Sequence, residues 1–133
     1  MIEFTFDANG YLTPNDEPVF ADKACVSYHF GSASELRRDL WNAVETLMDI
    51  ISLYLLPVTE VWIDGSFISL KTDPKDVDVI IFISQSAFES IRDTLDKVTI
   101  SFVHLDVKWV PMLDGLDDLS LAINALERMK WFV

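Results

Sequence analysis

The run Val77-Asp78-Val79-Ile80-Ile81-Phe82-Ile83 constrains this chain more than any other segment. Dense β-branched and aromatic residues fit a central strand covered on both faces. Such a strand needs neighbours in a sheet and other elements packed over it. Upstream, a helix meets that need. From about Ser34, the residues Leu36, Leu40, Val44, Leu47, Met48, Ile51 and Leu55 recur at spacings of three and four, drawing one apolar stripe that Pro57 stops. Ser32 with Glu35 forms a capping box and offers an alternative start.

The remaining elements follow from period and punctuation. Val58 to Asp64 reads as a strand ending at Gly65. Ser86 and Glu89 form a capping box ahead of Phe88, Ile91 and Leu95, which predicts a second helix. Thr99 to Val110 reads as a third strand. Ile100, Phe102, His104, Asp106 and Lys108 share one parity there, and Val103, Leu105, Val107 and Trp109 share the other. Pro111 to Asp117 reads as turn, and Leu119, Ile123, Leu126 and Met129 mark a final helix. Residues 1–33 are the least periodic part: Ile2, Phe4 and Phe6 suggest an edge strand, and Asp7 to Asp22, with Pro14, Asn15 and Pro18, reads as loop. The expected fold is α+β, a small mixed sheet with packed helices. One domain fills residues 1–133, with its core at 34–130 and residues 1–33 as a strand-and-loop extension. A chain of 133 residues that is 50% hydrophobic can bury one core of that size.

Charge narrows the partners. The chain carries 22 acidic and 10 basic side chains, a net charge of −12, which excludes nucleic-acid binding through a basic surface of its own. The acidity keeps an aromatic-rich chain soluble; it also suits docking on a basic partner or surrounding a metal with negative potential. No apolar run approaches the roughly 18 residues of a membrane span, and the first residues lack the basic region of a secretory signal. With one cysteine, Cys25, read as a buried structural thiol, a reducing, cytoplasmic setting is expected. His29 and His104 are too far apart in sequence to suggest a local metal pair. Trp41 and Tyr54, at the edge of the first helix's stripe, are candidates for a contact between copies; Trp131-Phe132-Val133 reads as core or interface packing.

The chemistry concentrates between residues 64 and 108. Asp76 and Asp78 stand at i and i+2 of a strand, so both point to one face. Roughly 7 Å of backbone separates them, short enough to converge on one hard cation. Asp106, on the next strand, can join them from a neighbouring position. Three carboxylates holding two Mg²⁺ or Mn²⁺ ions would make a site for phosphoryl or nucleotidyl transfer. Gly65-Ser66 supplies a sharp turn whose N–H groups can face a triphosphate. Lys71, Lys75 and Lys108 can reach its oxygens. Each piece has a plainer reading: a Gly-Ser pair is a common turn, and Asp73-Pro74-Lys75-Asp76 fits a β-turn. Their order, turn and then paired acids after strongly β-like runs, argues for the sharper one.

That order resembles the DNA polymerase beta type nucleotidyltransferase superfamily, and most closely its small bacterial and phage members, whose core reads like strand-Asp-Gly-Ser-Phe, a Lys, then Pro-x-Asp-x-Asp. WIDGSFISLKTDPKDVDVII matches that pattern. The resemblance covers residues 58–110 well, the helix before them loosely and residues 1–33 hardly at all. It implies that Gly65 and Ser66 contact phosphate, that Asp76 and Asp78 are the metal-binding pair, and that Asp106 is the third carboxylate. The implied activity is transfer of a nucleoside monophosphate from an NTP to a hydroxyl of a protein or RNA acceptor. Only about 23 residues follow Val110, so the acceptor site is expected from a protein partner or a second protomer. The alternative expectation is a non-catalytic interaction protein of the same fold, antitoxin-like or a phage inhibitor, acting through its acidic surface. A nucleotide sensor that binds without transfer is a third.

Overall fold

A computed structural model describes residues 3–14 and 17–130. Ile2, Asn15 and the aromatic ending at 131–133, all interpreted above, lie outside the described residues. The fold is α+β. A short hairpin pairs β1 (Thr5–Phe6) with β2 (Leu12–Thr13), and is followed by α1 (Lys23–Val26), a π-turn at Ser27–Gly31 and the long α2 (Glu35–Leu53). The main sheet is ordered β3-β4-β5, built from β3 (Val58–Asp64), β4 (Val77–Ser84) and β5 (Leu105–Met112). β3 runs antiparallel to β4, and β4 parallel to β5, so the sheet is mixed. The parallel pair requires a crossover, which α3 (Gln85–Ser90) and α4 (Arg92–Ser101) supply. α5 (Asp118–Met129) closes the described chain.

β4 is central and buried on both faces, as its composition predicts. Val77, Val79 and Ile81 face α2 and join Leu40, Val44, Leu47 and Phe67 in the main core. Ile80 and Phe82 face the other way, with Val110, Met112 and Trp62. α2 starts at the second of the two expected positions: Ser34 is the N-cap, and its hydroxyl accepts the Arg37 N–H at 3.1 Å. The helix ends before Leu55, which takes a left-handed φ of 52° and lies 86% exposed outside the stripe. Leu36 is likewise exposed. Trp41 is no surface contact. It is 3% exposed and stacked on Phe67 at 6.2 Å, so of that candidate pair only Tyr54 stays outside.

Three further expectations are corrected. Thr99 to Ser101 belongs to α4, and β5 starts only at Leu105, where it meets Val77. His104 therefore sits in the turn ahead of the strand, its carbonyl accepting the Val77 N–H. β5 also runs on through Pro111 to Met112; an edge strand tolerates proline because one side of its ladder needs no donor. The Ser86–Glu89 capping box does not form. Asp114 occupies that place, accepting the Ser86 N–H and the Ser84 hydroxyl, and these bonds hold its carboxyl below the usual range. The apolar positions of α5 are largely exposed, Leu119 and Leu126 at 70% and 60%. The helix is held by polar ties instead: Asn124 bonds both backbone groups of Leu113, and Arg128 pairs with Glu60 at 3.3 Å. Cys25 is buried, as expected of a structural thiol.

Candidate functional site

Strand register builds the site. Asp64 of β3 stands opposite Asp78 of β4, and Asp78 stands opposite Asp106 of β5. All three therefore share one face at one end of the sheet, in a row about 10 Å long at 4.8 Å per strand. The same parity continues as Trp62, Ile80 and Lys108, so hydrophobic packing begins immediately behind the acids. Asp76 lies one residue ahead of β4 and two before Asp78.

Asp78 is the electrostatic centre. Its carboxyl is pushed up to about 6 from 3.8, first by desolvation, then by the charges of Asp106 and Asp76, a hydrogen bond with the Asp106 carboxyl, and the charge of Asp64. Four carboxylates thus act on one another at the sheet's end. Asp106 has partial relief from Lys108, whose ammonium lies 3.1 Å away with both side chains about half exposed. Among the described residues, no group of three or more His, Cys, Asp or Glu side chains is already arranged to hold a metal ion. The donor set nevertheless fits one chemically: its oxygens are hard, and its mutual repulsion is what a divalent cation relieves.

The Gly-Ser turn closes on this row. Gly65 has φ +82°, and its N–H donates to an Asp64 carboxylate oxygen at 2.8 Å. A Cβ at Gly65 would run into the Asp78 carboxylate. The glycine is thus required twice, by its backbone and by the approach of the acid. Gly65→Ala is expected to cost about 2–3 kcal/mol of stability and to displace the Asp78 side chain. A urea unfolding curve that overlays the wild type would refute this. A single 3₁₀ turn, Ser66–Ile68, follows and buries Phe67.

One residue that holds this turn was not singled out from the sequence. Arg37, in the first turns of α2, is 4% exposed and makes no ion pair among the described residues. Its guanidinium donates to the carbonyls of Phe30 at 3.3 Å, Phe67 at 2.6 Å and Ser69 at 3.0 Å, and to that of Lys71. It also stands 5.3 Å from the Phe67 ring centre. Burial lowers its pKa from the ordinary value. Nothing in the sequence separates Arg37 from Arg38 except position: Arg37 lies three residues before Leu40 on the helix's buried side.

Of the residues expected at the site, the fold brings Gly65, Asp76, Asp78 and Asp106 together. Ser66 adjoins them through the turn. Lys71 and Lys75 are exposed in the connection to β4, and among the described residues no ion pair ties either side chain to the acids. Asp64 was missed. Alternation within β3 puts it on the face of Trp62 and Glu60, but only the register of β3 against β4 places it beside Asp78.

The model of one protein family, described as a family of unknown function (DUF6932), matches residues 4–130. Neither a curated protein nor a solved structure matches the chain.

Proposed function

The chain belongs to that family, and because the family's description assigns no chemistry, we propose from the site alone a metal-dependent nucleotidyltransferase. It binds a nucleoside triphosphate with Mg²⁺ or Mn²⁺ and transfers the nucleoside monophosphate to a hydroxyl of a protein or RNA acceptor. One observation supports this above the others: the in-register acids Asp64, Asp78 and Asp106, with Asp76 beside them, stand directly against the Gly65 turn.

Asp76, Asp78 and Asp106 are the metal ligands and Gly65-Ser66 the phosphate contact. Bound there, the cation would supply charge neutralisation at the phosphates and a lowered pKa for the attacking hydroxyl. The missing side chain at Gly65 lets the backbone approach the phosphates closely, and the Ser66 hydroxyl offers a further donor. The acceptor oxygen forms a bond to the α-phosphorus, the α–β bridging P–O bond breaks, and pyrophosphate leaves. Asp106, half exposed at the edge of the row, takes the acceptor's proton. Lys108 holds Asp106 in place until substrate arrives and then is free to meet a phosphate oxygen. Lys71 and Lys75 extend from the connection to the outer phosphates.

Calorimetric titration of each NTP, with and without Mn²⁺, into wild type, Asp76→Asn and Asp106→Asn tests this. The expected result is metal-dependent binding weakened at least tenfold in both variants, with unchanged circular dichroism. Equal binding by all three chains would overturn it.

A second reading, a non-catalytic interaction protein of the same fold, is favoured by the Lys108–Asp106 pair, which already compensates one acid without a metal. It predicts no heat with any nucleotide from the folded chain.

A further inference from the structure

Helix α5 stands with its apolar row turned away from the sheet. Leu119, Ile123, Leu126 and Met129 recur at spacings of four and three, so they form one row on one face. Ile123 is 37% exposed and Met129 59%, Leu119 and Leu126 are more open still, and none of the four joins either core. Ser120, Asn124 and Arg128, each four residues apart, form a second row on the nearly opposite side of the helix. The polar row is the half-buried one: Asn124 bonds Leu113, and Arg128 reaches Glu60 on β3. A surface helix ordinarily lays its apolar row on the core. Here the sheet face that carries Glu60 is already closed by Ile80, Phe82, Val110 and Met112, and the apolar row stays outside. A contiguous apolar row left in solvent marks a contact surface.

The charges of α5 are sorted by end. Asp117 caps its start and Asp118 lies in its first turn, whereas Arg128 lies in its last turn and Lys130 follows directly. Glu127, the one other acid, pairs with Lys130 at 2.8 Å. Asp118 makes no ion pair among the described residues. The macrodipole of a helix is positive at its start and negative at its end. A surface with this order is matched by a copy of itself laid antiparallel: each acidic start then meets a basic end, and the two dipoles oppose. Such a contact closes on itself with twofold symmetry.

We propose that α5 is the contact of a homodimer, its apolar row packed antiparallel on the same row of a second copy. Centred between Ala122 and Ile123, the pairing sets Leu119 of one copy level with Leu126 of the other. Asp118 of one copy then lies within one helical turn of Lys130 of the other. Each chain carries a net −12, but at physiological salt that repulsion is screened beyond about 8 Å, whereas the apolar contact and the paired ends lie inside this distance. A helix of 12 residues is about 18 Å long, so the contact falls below the roughly 800 Å² per partner of a standard interface, and the dimer is weak. An anionic membrane surface is disfavoured because Asp118 and Glu127 flank the row. The inference stands apart from the nucleotide reading, and its test uses no nucleotide.

Sedimentation equilibrium of the full chain over a range of concentrations tests this. Wild type is expected to pass from monomer to dimer mass and no further. Leu119→Glu and Leu126→Glu are expected to weaken that association at least tenfold while leaving circular dichroism and urea unfolding of the dilute chain unchanged, because both positions are exposed. Asp118→Lys and Lys130→Glu, each alone, are expected to weaken it at least threefold, and the two together to bring it back near the wild-type value. That recovery separates antiparallel self-pairing from unspecific apolar association. Three results would each overturn the proposal: a monomer mass up to about 1 mM, the weak limit of a specific contact; full association by both leucine variants; or a double charge swap no better than the single ones. The first of these is also what a helix of a different protein as the natural occupant would give.

Discussion

Replacing Arg37 by Met is expected to cost about 3–5 kcal/mol, a large share of the roughly 5–15 kcal/mol that holds a domain of this size together. The four carbonyls that its fork satisfies come from Phe30, Phe67, Ser69 and Lys71, and all lose their donor at once. A buried acceptor left without a partner costs about 1–3 kcal/mol before any relaxation. Arg37→Lys does little better, because an ammonium is a point donor on a flexible stem and cannot bridge carbonyls from two separate segments. The damage is directional. Three of the four carbonyls lie in the loop after Gly65, so this loop is expected to exchange its amides faster even where the protein still folds. Urea unfolding and amide exchange of both variants check this. A loss under about 1 kcal/mol, with the loop equally protected, would show that the network is not what holds the turn.

Asp78→Asn is expected to do two opposite things. It abolishes divalent-cation and nucleotide binding, and it makes the unliganded protein more stable at neutral pH. The second effect follows from the shift of the Asp78 carboxyl from 3.8 to about 6. Between those values the folded chain holds a proton that the unfolded chain has released. Stability therefore falls as pH rises through that window, and the penalty is complete above it. A shift of about 2 units corresponds to about 3 kcal/mol without screening. The site is open to solvent, which leaves about 1–2 kcal/mol. Asn carries no such penalty. Wild type and variant should thus be nearly equal near pH 4 and differ by that amount at pH 8. Asp114 and Asp117, with lowered pKa values from their hydrogen bonds, stabilise the fold above the ordinary carboxylate range and act alike in both chains, so the difference isolates Asp78. Parallel stability curves from pH 4 to 8 would refute the shift. Added Mn²⁺ should stabilise the wild type and leave the variant unmoved, which separates relief of repulsion from ordinary ionic strength.

The two predictions describe one arrangement from its two sides. Arg37 spends a buried charge to hold the loop after Gly65, and that loop brings backbone against an acid row that destabilises itself. Packing that overrides local repulsion to hold charged groups together is the pattern expected where a charged ligand binds.

Much of this was legible in residue order. The density of Val77 to Ile83 demanded a central strand, and the three-and-four spacing of Leu40, Val44 and Leu47 demanded a helix to cover it, because apolar period alone decides those elements. Parity separated Leu105 and Val107, which the fold buries, from Asp106 and Lys108, which it exposes, and it did so even though the strand was begun six residues too early, at Thr99 rather than Leu105. The early start has a physical cause: Ile100 and Phe102 alternate as in a strand, but the crossover from β4 to a parallel β5 needs helical length, and long-range pairing outranks six residues of local pattern. The capping box at Ser86 failed for the same kind of reason, since Asp114 reached the helix start from 28 residues away. What the chain order by itself determined was which segments are strand and helix and which acids share a face. Only the tertiary structure decided which strands neighbour one another, and with that the inclusion of Asp64 in the acid row and the burial of Arg37 behind the turn. Each of these depends on register between segments distant in sequence, and the spacing of residues within one segment carries no information about that.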